Sequence, residues 1–420
     1  MELVLTKNFS LPESWTLAVY EKTGGYQAVR KALQMKPADV INEVKSSGLR
    51  GRGGAGFPAG MKWGFVPQNT GKPTYLCVNA DESEPGTFKD RPILEKDPHR
   101  LIEGAMIASY AIQCHTAYIY IRGEFDLSLK RIEAAVQEAY RKGYLGKNIF
   151  GSGYDLEIYI HRGAGAYICG EETALIESLE GKRGYPRIKP PFPAVQGLFG
   201  CPTVVNNVET LSSVPFIIEK GAAAYKAIGT EKSPGAKLFS ICGPVKKPGV
   251  YEVPLGTPLR TLIREYAGGM ADGKVLKAVI PGGSSVPILT AQEVEEVNLD
   301  YESLQSKGSM LGSGGVIVID EGYCIVRALM NLARFYAHES CGQCSPCREG
   351  TGWSYKILKR FEEGEGTEQD IDLLLDIGKK MTGMTVCVLA DALAMPIASH
   401  IGKFREEFEN HIGKSCPATS

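Results

Sequence analysis

The hydrophobic pattern of the first third of the chain alternates between two periods. Short apolar runs that predict buried strands lie at residues 74–79, 117–121 and 156–160. Runs with helical spacing lie between them, at residues 99–112 and 127–141. Strands that alternate with helices in this way favour a parallel sheet covered by helices. Ligands of such sheets bind beyond the carboxyl ends of the strands.

The pattern changes near residue 238. Short strand-like pieces surround one helical run, at 259–266, and this predicts a small α+β module that ends in a strand at 316–319. The strand-like pieces lie at 238–241, 249–253 and 279–280.

From residue 323 onward the pattern is helical, with short polar breaks. Four helices joined in this way predict a bundle. They are expected at residues 324–337, 355–361, 368–380 and 390–408. We therefore expect three domains: an α/β domain over residues 1–235, a small α+β domain over residues 236–322 and a helical domain over residues 323–420.

Composition narrows the class of protein. The chain has 420 residues, and its 47 basic side chains nearly cancel its 48 acidic ones, which gives no case for a general polyanion binder. The chain has eleven cysteines, and it does not open with the charged residues and apolar run of a secretion signal. We therefore expect a reducing compartment, in which the thiols are available for metals. The longest uncharged stretch, residues 104–121, changes period midway, so we expect a helix followed by a strand and not a membrane span.

The strongest local motif is Cys341-x-x-Cys344-x-x-Cys347. Three thiols at this spacing fit a cubane iron–sulfur cluster, whereas zinc usually takes two separated Cys-x-x-Cys pairs. A compact ferredoxin motif would place a fourth cysteine at position 351, which is Thr351, so the fourth ligand must be remote. Bound zinc and three unbonded thiols are the alternatives.

Three remote cysteines are candidates for the fourth ligand. Cys324 opens an apolar helix and is expected in the core, and Cys416 lies in a tail that is expected to fray. Cys387 lies between two helices of the predicted bundle and is therefore the preferred ligand.

A second motif, Gly51-x-Gly53-x-x-Gly56, has the glycine spacing of the dinucleotide-binding fingerprint. The fingerprint should follow a strand and open a helix. Here it follows a predicted helix, and residues 57–60 open no obvious helix, so a standard Rossmann turn is not predicted. What remains is a glycine turn, flanked by Arg50, Arg52 and Lys62, that can lie close to a flat or phosphorylated ligand.

Polar segments follow three of the predicted strands. The acidic segment 79–87 follows the first, the glycine-rich segment 163–174 follows another, and residues 203–210 run from a strand into a helix for which Asn207 is a good N-cap. A solvated acidic loop or a purely structural turn would explain any one of them. Their recurrence along one sheet favours a nucleotide pocket.

Six blocks in this order resemble the family of NADH-binding flavoprotein (F) subunits of respiratory complex I. The blocks are residues 48–63, 79–91, 163–179, 183–192, 203–210 and 339–350. The resemblance runs from about residue 20 to residue 410. It implies a Rossmann-like FMN and NADH domain, a β-grasp (ubiquitin-like) domain and a C-terminal four-helix bundle with a [4Fe–4S] cluster.

The resemblance also implies roles for individual residues. The expected FMN contacts are Gly51, Gly53, Lys62, Asn79, Asp81, Gly170, Glu171, Asn206, Asn207 and Thr210. The expected NADH contacts are Phe57, Phe65, Glu82, Glu84, Tyr167, Glu172, Lys189 and Phe192. The expected cluster ligands are Cys341, Cys344, Cys347 and Cys387. Hydride transfer to a flavin needs no acid or base, so no catalytic residue is assigned.

The implied activity is NADH:quinone oxidoreduction, in which a hydride passes from NADH to FMN and single electrons pass on to the cluster. The implied partners are a small thioredoxin-like [2Fe–2S] subunit (E-type) and a larger iron–sulfur subunit (G-type), on the cytoplasmic face of the inner membrane. Nucleic acid and direct membrane insertion are not expected. Two alternatives remain: a soluble hydrogenase or dehydrogenase diaphorase, and a non-enzyme with a structural zinc clip.

Overall fold

A computed structural model describes residues 2–68 and 70–416 of the chain. Its first part is built on a four-stranded parallel sheet with strand order β3-β2-β1-β4. The strands are β1 (Tyr75–Ala80), β2 (Thr116–Ile121), β3 (Glu157–Arg162) and β4 (Thr203–Asn207). The parallel sheet expected from the alternating pattern is thereby confirmed.

The register of the sheet places two predicted site residues side by side. Asn79 at the end of β1 pairs with Asn207 at the end of β4. Because parallel strands run in the same direction, the carboxyl ends of β1 and β4 form one polar edge.

Ten α-helices among the described residues accompany this sheet. They are α1 (Leu17–Lys22), α2 (Gln27–Ala32), α3 (Pro37–Ser46), α4 (Ala59–Gly64), α5 (Asp90–Lys96), α6 (Pro98–Ala111), α7 (Asp126–Arg141), α8 (Glu172–Leu179), α9 (Val208–Lys220) and α10 (Ala222–Lys226). Helix α6 is buried along almost its whole length. Gly104 permits this packing, because a Cβ at that position would lie 2.0 Å from the carbonyl oxygen of Leu211 on α9.

The stretch over residues 104–121 is a helix followed by a strand, as expected, since α6 ends at Ala111 and β2 begins at Thr116. Among the described residues, no helix combines the length and the apolar character that crossing a bilayer requires.

A second, five-stranded sheet follows, with strand order β6-β5-β9-β7-β8. Its strands are β5 (Ala236–Cys242), β6 (Gly249–Pro254), β7 (Leu276–Ile280), β8 (Leu289–Thr290) and β9 (Gly315–Asp320). The short helices are α11 (Leu259–Thr261), which continues as a π-helical turn over Leu262–Tyr266, α12 (Ala291–Glu296) and α13 (Tyr301–Ser306). Strands β5 and β9 are parallel, the other pairs are antiparallel, and the module has its own apolar core.

The last part of the described chain consists of four helices. They are α14 (Ile325–Glu339), α15 (Ser345–Glu362), α16 (Glu368–Met381) and α17 (Leu389–Asn410). Helix α15 is much longer than the pattern predicted, since it begins inside the cysteine motif. Its first turn contains Pro346, which helices tolerate there. Its interior contains Gly350, which permits close packing because a Cβ would lie 2.5 Å from Sδ of Met381.

Two local expectations were wrong. Residues 57–60 do open a helix, α4, because Pro58 fixes the backbone just before Ala59. Cys416 does not fray, since only 1% of it is exposed and its backbone N–H donates to the carbonyl oxygen of Glu362 at 3.1 Å. The tail beyond Cys416 lies outside the described residues.

Candidate functional site

The glycine turn at residues 48–56 lies against the first turn of helix α9. The backbone N–H of Arg52 donates to Oγ1 of Thr210 at 2.8 Å. A Cβ on Gly53 would lie 3.2 Å from Cβ of Asn207, so a side chain there would press on the edge of the sheet. Asn207 caps α9 by accepting from the backbone N–H of Thr210 at 3.2 Å, as its sequence position predicted.

The ends of the strands and the segments that follow them are joined by side-chain amides. Nδ2 of Asn79 donates to the carbonyl oxygen of Gly170 at 2.8 Å, and its Oδ1 accepts from the backbone N–H of Asp81 at 3.1 Å. Oδ1 of Asn206 accepts from Nε1 of Trp63 on α4 at 2.7 Å. The segments after β1, β3 and β4 thus meet α4 at one place.

Two lysines and two glutamates form a chain of ion pairs beside these amides. Lys62 contacts Glu172 at 2.8 Å, and Lys189 contacts Glu172 at 3.0 Å and Glu171 at 2.9 Å. Burial raises the pKa of Glu172, but the two lysines outweigh it, and the net shift is downward. Glu171 also caps α8, since its Oε2 accepts from the backbone N–H groups of Thr173 and Ala174. Two expected FMN contacts, Lys62 and Glu171, therefore share one charged network with two expected NADH contacts, Glu172 and Lys189.

Asp81, an expected flavin contact, has an unused polar atom. Its Oδ2 is buried and has no hydrogen-bond partner among the described residues. Burial raises the pKa of Asp81 to about 7, although Arg122 lowers it in part. Buried polar atoms are normally paired, so this oxygen fits a polar group of a bound ligand. Together with the glycine turn, it makes the site compatible with FMN.

The two other acidic residues of this segment are held by the protein itself. Glu82 is buried and caps α5, because it accepts from the backbone N–H groups of Lys89 and Asp90, each at 2.8 Å. Glu84 accepts from the hydroxyl of Tyr167 at 2.7 Å and from the backbone N–H of Ser285 at 2.7 Å. Glu84 thereby links the parallel-sheet part to the second sheet.

The expected aromatic contacts divide into a pair and a single residue. The rings of Phe57 and Phe65 lie 6.0 Å apart between centroids and are 46% and 55% exposed. Large exposed aromatic rings next to a polar site fit stacking on a flat base. Phe192 is also exposed but lies in the proline-rich loop, outside this pair.

Sequence reasoning missed a buried ionic network beneath the glycine turn. Glu209 accepts from Nζ of Lys89 at 2.8 Å and from Nζ of Lys237 at 3.2 Å, and these side chains are at most 1% exposed. Nη2 of Arg52, also buried, donates to the hydroxyl of Tyr225 at 3.0 Å. No spacing marks these residues, because they come from distant segments of the chain.

The cysteine motif and Cys387 lie at the same end of the helical part. Cys341 lies in the loop before α15, and Cys344 is the N-cap of that helix. Cys347 lies in its first turn. The backbone N–H of Val386, next to Cys387, donates to Sγ of Cys344 at 3.4 Å. Burial raises the pKa of Cys387 to about 12, and Cys347 and Cys341 act in the same direction.

This donor set fits a cubane cluster better than a single ion. Four thiols are the usual ligands of a [4Fe–4S] cluster, and the structure gathers the preferred four from two separate segments. Among the described residues, no three of them bring their sulfur atoms within 4.8 Å of one another, as ligands of one ion would.

The cysteine loop adjoins the nucleotide side. The backbone N–H of Tyr167, in the turn before α8, donates to Oε2 of Glu339 at 3.0 Å. Glu339 ends α14, two residues before Cys341. The ring of Tyr167 lies 5.1 Å from that of Phe335. The two candidate cofactor sites are therefore neighbours.

Comparisons with known proteins agree with this arrangement. The family model of the Nuo51 FMN-binding domain matches residues 44–216, that of the SLBB domain matches residues 237–319, and that of the NADH-ubiquinone oxidoreductase-F iron-sulfur binding region matches residues 327–411. The chain is 54% identical to the NADH-quinone oxidoreductase F subunit numbered 2 of Rhizobium meliloti (strain 1021), over 99% of each chain. It is 56% identical to the NADH-quinone oxidoreductase F subunit of Mycobacterium tuberculosis (strain ATCC 25618 / H37Rv), over 99% of this chain and 94% of the relative.

A solved structure matches as well. The crystal structure of an NAD+-reducing [NiFe]-hydrogenase in the air-oxidized state superposes with a TM-score of 0.85 and 37% sequence identity, over 99% of this chain and 68% of that chain. The fold and the two sites define a flavin- and iron–sulfur-binding component of a multisubunit oxidoreductase. Within that class, the chain belongs to the family of NADH-quinone oxidoreductase F subunits.

Proposed function

We propose that this chain oxidises NADH at the edge formed by strands β1 and β4 and releases electrons through the cysteine site. FMN, when bound, accepts a hydride and gives up single electrons, and a [4Fe–4S] cluster takes those electrons one at a time. The observation that carries the proposal is the hydrogen bond between Tyr167 and Glu339, which makes the two sites neighbours. Electron transfer to a cluster requires such closeness.

We propose that the chain's glycines and amides position the flavin. Gly51, Gly53 and Gly170 keep the backbone open, and Asn79, Asn206, Asn207 and Thr210 hold the surrounding segments in place. Asp81 offers its unpaired oxygen. Lys62 places a positive charge that favours a reduced, anionic flavin, and Glu171 fixes the start of α8.

We propose that NADH enters between the exposed phenylalanines and the acidic segment. Phe57 and Phe65 stack on the adenine, with Phe192 on the proline-rich loop as a third ring. Glu84 and Tyr167 orient the nicotinamide as one hydrogen-bonded unit, and the ion pair of Glu172 and Lys189 supplies further NADH contacts. Glu82 acts through the backbone of α5. The carboxylates of the acidic segment 79–87 together disfavour a 2′-phosphate, so NADH is preferred over NADPH.

The ligands proposed for the cluster are Cys341, Cys344, Cys347 and Cys387. We further propose that the chain divides into domains over residues 1–235, 236–322 and 323–420. The specific partners are a small [2Fe–2S] subunit and a larger iron–sulfur subunit, and the assembly lies on the cytoplasmic face of the inner membrane. The family supports these assignments.

An anaerobic NADH titration of the purified chain tests the activity. We expect a flavin band that bleaches near one NADH per chain, on a broad iron–sulfur background. The Cys387→Ser variant is the matched control, since it should keep the flavin bleaching and lose the broad background. A featureless spectrum after reconstitution with FMN, iron and sulfide would contradict the proposal.

Glu84→Gln tests the nicotinamide site. The substitution removes the charge that accepts from Tyr167 and Ser285. We expect altered NADH affinity or reoxidation kinetics at unchanged iron content. Glu349→Gln, at the exposed start of α15, is the control. Unchanged kinetics in Glu84→Gln would exclude this role.

A second assembly is favoured by the structural match to the hydrogenase. In that case the same chemistry would serve a soluble diaphorase with a different terminal acceptor. Copurification separates the two, because a quinone-reducing complex brings membrane subunits and a hydrogenase assembly does not.

A further inference from the structure

A second group of metal-binding side chains lies apart from the cluster cysteines. Cys324, Glu362, His411 and Cys416 each offer one ligand atom, and these atoms all lie within 4.8 Å of one another. All four residues are buried, with at most 9% of each exposed. Two thiols, one imidazole and one carboxylate this close together suit a single zinc ion, which accepts sulfur, nitrogen and oxygen ligands.

The four ligands come from three separate parts of the helical region. Cys324 precedes α14, Glu362 ends α15, and His411 and Cys416 follow α17. The tail that carries Cys416 lies on the loop after α15, where Gly364 has no side chain. A Cβ there would come within 2.8 Å of the backbone nitrogen of Ser415. The packing therefore holds the tail where Cys416 reaches the other three residues.

His411 is oriented as a metal ligand. Its Nδ1 lies 2.6 Å from the carbonyl oxygen of Glu407, which can only accept, so Nδ1 carries the proton. Nε2 then has its lone pair directed at Sγ of Cys324, 3.3 Å away, where it accepts from the thiol as long as no metal is bound. A ligating histidine usually donates its other ring N–H to a carbonyl or carboxylate in this way.

Burial and the Glu362 carboxylate raise the pKa of the Cys324 thiol, so a thiolate there depends on a bound cation. Cys324 is the N-cap of α14, and its Sγ accepts from the backbone N–H of Arg327 at 3.4 Å. Helix N-termini favour negative charge. Two thiolates and the Glu362 carboxylate carry three negative charges. A divalent ion and the guanidinium of Arg327, 2.9 Å from Oε2 of Glu362, balance them.

We propose that Cys324, Glu362, His411 and Cys416 bind one structural zinc ion that fastens the C-terminal segment to the start of helix α14 and the end of helix α15. Tetrahedral zinc places neighbouring sulfur and nitrogen ligands about 3.5 Å apart, given bond lengths of about 2.3 and 2.0 Å. The 3.3 Å between Cys324 and His411 matches that edge closely. All four positions are filled by protein, as in structural sites and unlike catalytic ones.

Metal analysis of the purified chain, loaded with FMN and its iron–sulfur cluster, tests this site. We expect about one zinc per chain in addition to the cluster iron. His411→Ala and Cys416→Ser should each lose that zinc and keep both flavin and iron. Cys344→Ser should keep the zinc and lose the cluster iron. That result distinguishes this site from zinc misplaced at the cluster cysteines.

His400→Ala is the matched control for helix α17. His400 is buried on the same helix, and its Nδ1 likewise contacts the carbonyl oxygen four residues earlier, that of Pro396, at 2.8 Å. It lies outside the proposed ligand set, so its replacement should leave zinc in place even if it lowers stability. Equal zinc loss in His400→Ala and His411→Ala would overturn the proposal.

X-ray absorption at the zinc edge of the unaltered protein keeps the proposal testable if the variants fail to fold. We expect two sulfur ligands at about 2.3 Å and two nitrogen or oxygen ligands at about 2.0 Å. Four sulfur ligands would show zinc at the cluster site, and zinc that a chelator wash removes at once would be an adventitious ion only. Zinc-free protein with full iron would show that the four side chains are only hydrogen-bonded. Each of these three results would overturn the proposal.

Discussion

Nζ of Lys62 lies 2.8 Å from Oε2 of Glu172 and 2.9 Å from the carbonyl oxygen of Val205. The lysine thus joins helix α4, strand β4 and helix α8 at the proposed flavin site. Its charge is fixed by partners on two other elements, so the site holds this cation in place before any ligand arrives. Preorganised charge of this kind is the most effective electrostatic contribution that a protein makes to a reaction.

Replacing Lys62 by methionine should weaken FMN binding. A lost charge-assisted hydrogen bond costs about 1.5–3 kcal/mol, which corresponds to roughly 10- to 100-fold in affinity. FMN titration of flavin-free protein measures the change. Lys130→Met, at an exposed position of α7, should bind FMN as the unaltered chain does. Equal affinity in all three proteins would exclude a role for Lys62.

Asp81 should make the stability of the flavin-free chain depend on pH. Burial raises its pKa to about 7 in the folded state, against about 3.9 in an unfolded chain. The folded state therefore binds more protons between these values, and the contribution of Asp81 to stability falls as pH rises from about 4 to about 7.

Comparison with Asp81→Asn isolates this effect from other titrating groups. Between about pH 5.5 and about pH 7, the unaltered chain should lose about 2 kcal/mol relative to the variant, and the loss should level off above the folded-state pKa. Urea unfolding at each pH measures the difference. A difference that is constant with pH would mean that Asp81 stays ionised.

Replacing Cys387 by serine should remove the cluster and spare the flavin. The cysteine lies beside the Cys344 thiol, to which its neighbour Val386 donates a hydrogen bond. Iron and sulfide content should fall well below about four per chain, while FMN remains. Cys242→Ser, in β5 of the second sheet, is the control and should keep its iron. Loss of iron in Cys416→Ser instead would reassign the fourth ligand.

Glu209→Gln should destabilise the parallel-sheet part. The carboxylate is fully buried between Lys89 and Lys237, and removing one partner of a buried ion pair costs about 3–5 kcal/mol. Urea unfolding followed by tryptophan fluorescence measures the loss. Glu219→Gln, at the exposed end of the same helix α9, should leave the midpoint unchanged. Similar midpoints in both variants would show that the lysines find other partners.

The sequence predicted the parts of this protein that are written in local patterns. The alternation of periods predicted the parallel sheet and the change to helices near residue 323, because burial of one face imposes a repeat on the chain. Asn207 was recognised as an N-cap from its own position, and Cys341, Cys344 and Cys347 from their spacing. Six blocks in order predicted the family, and the comparisons confirmed it.

Only the tertiary structure decided which distant residues meet. Two groups of buried residues come from distant segments whose separation along the chain carries no signal. They are Glu209 with Lys89 and Lys237, and Cys416 with Cys324 and His411. Local composition even misled for Cys416, because a tail of small and polar residues has no visible reason to be ordered. Its burial follows from packing on Gly364 and Glu362, and such contacts exist only once the helices have assembled.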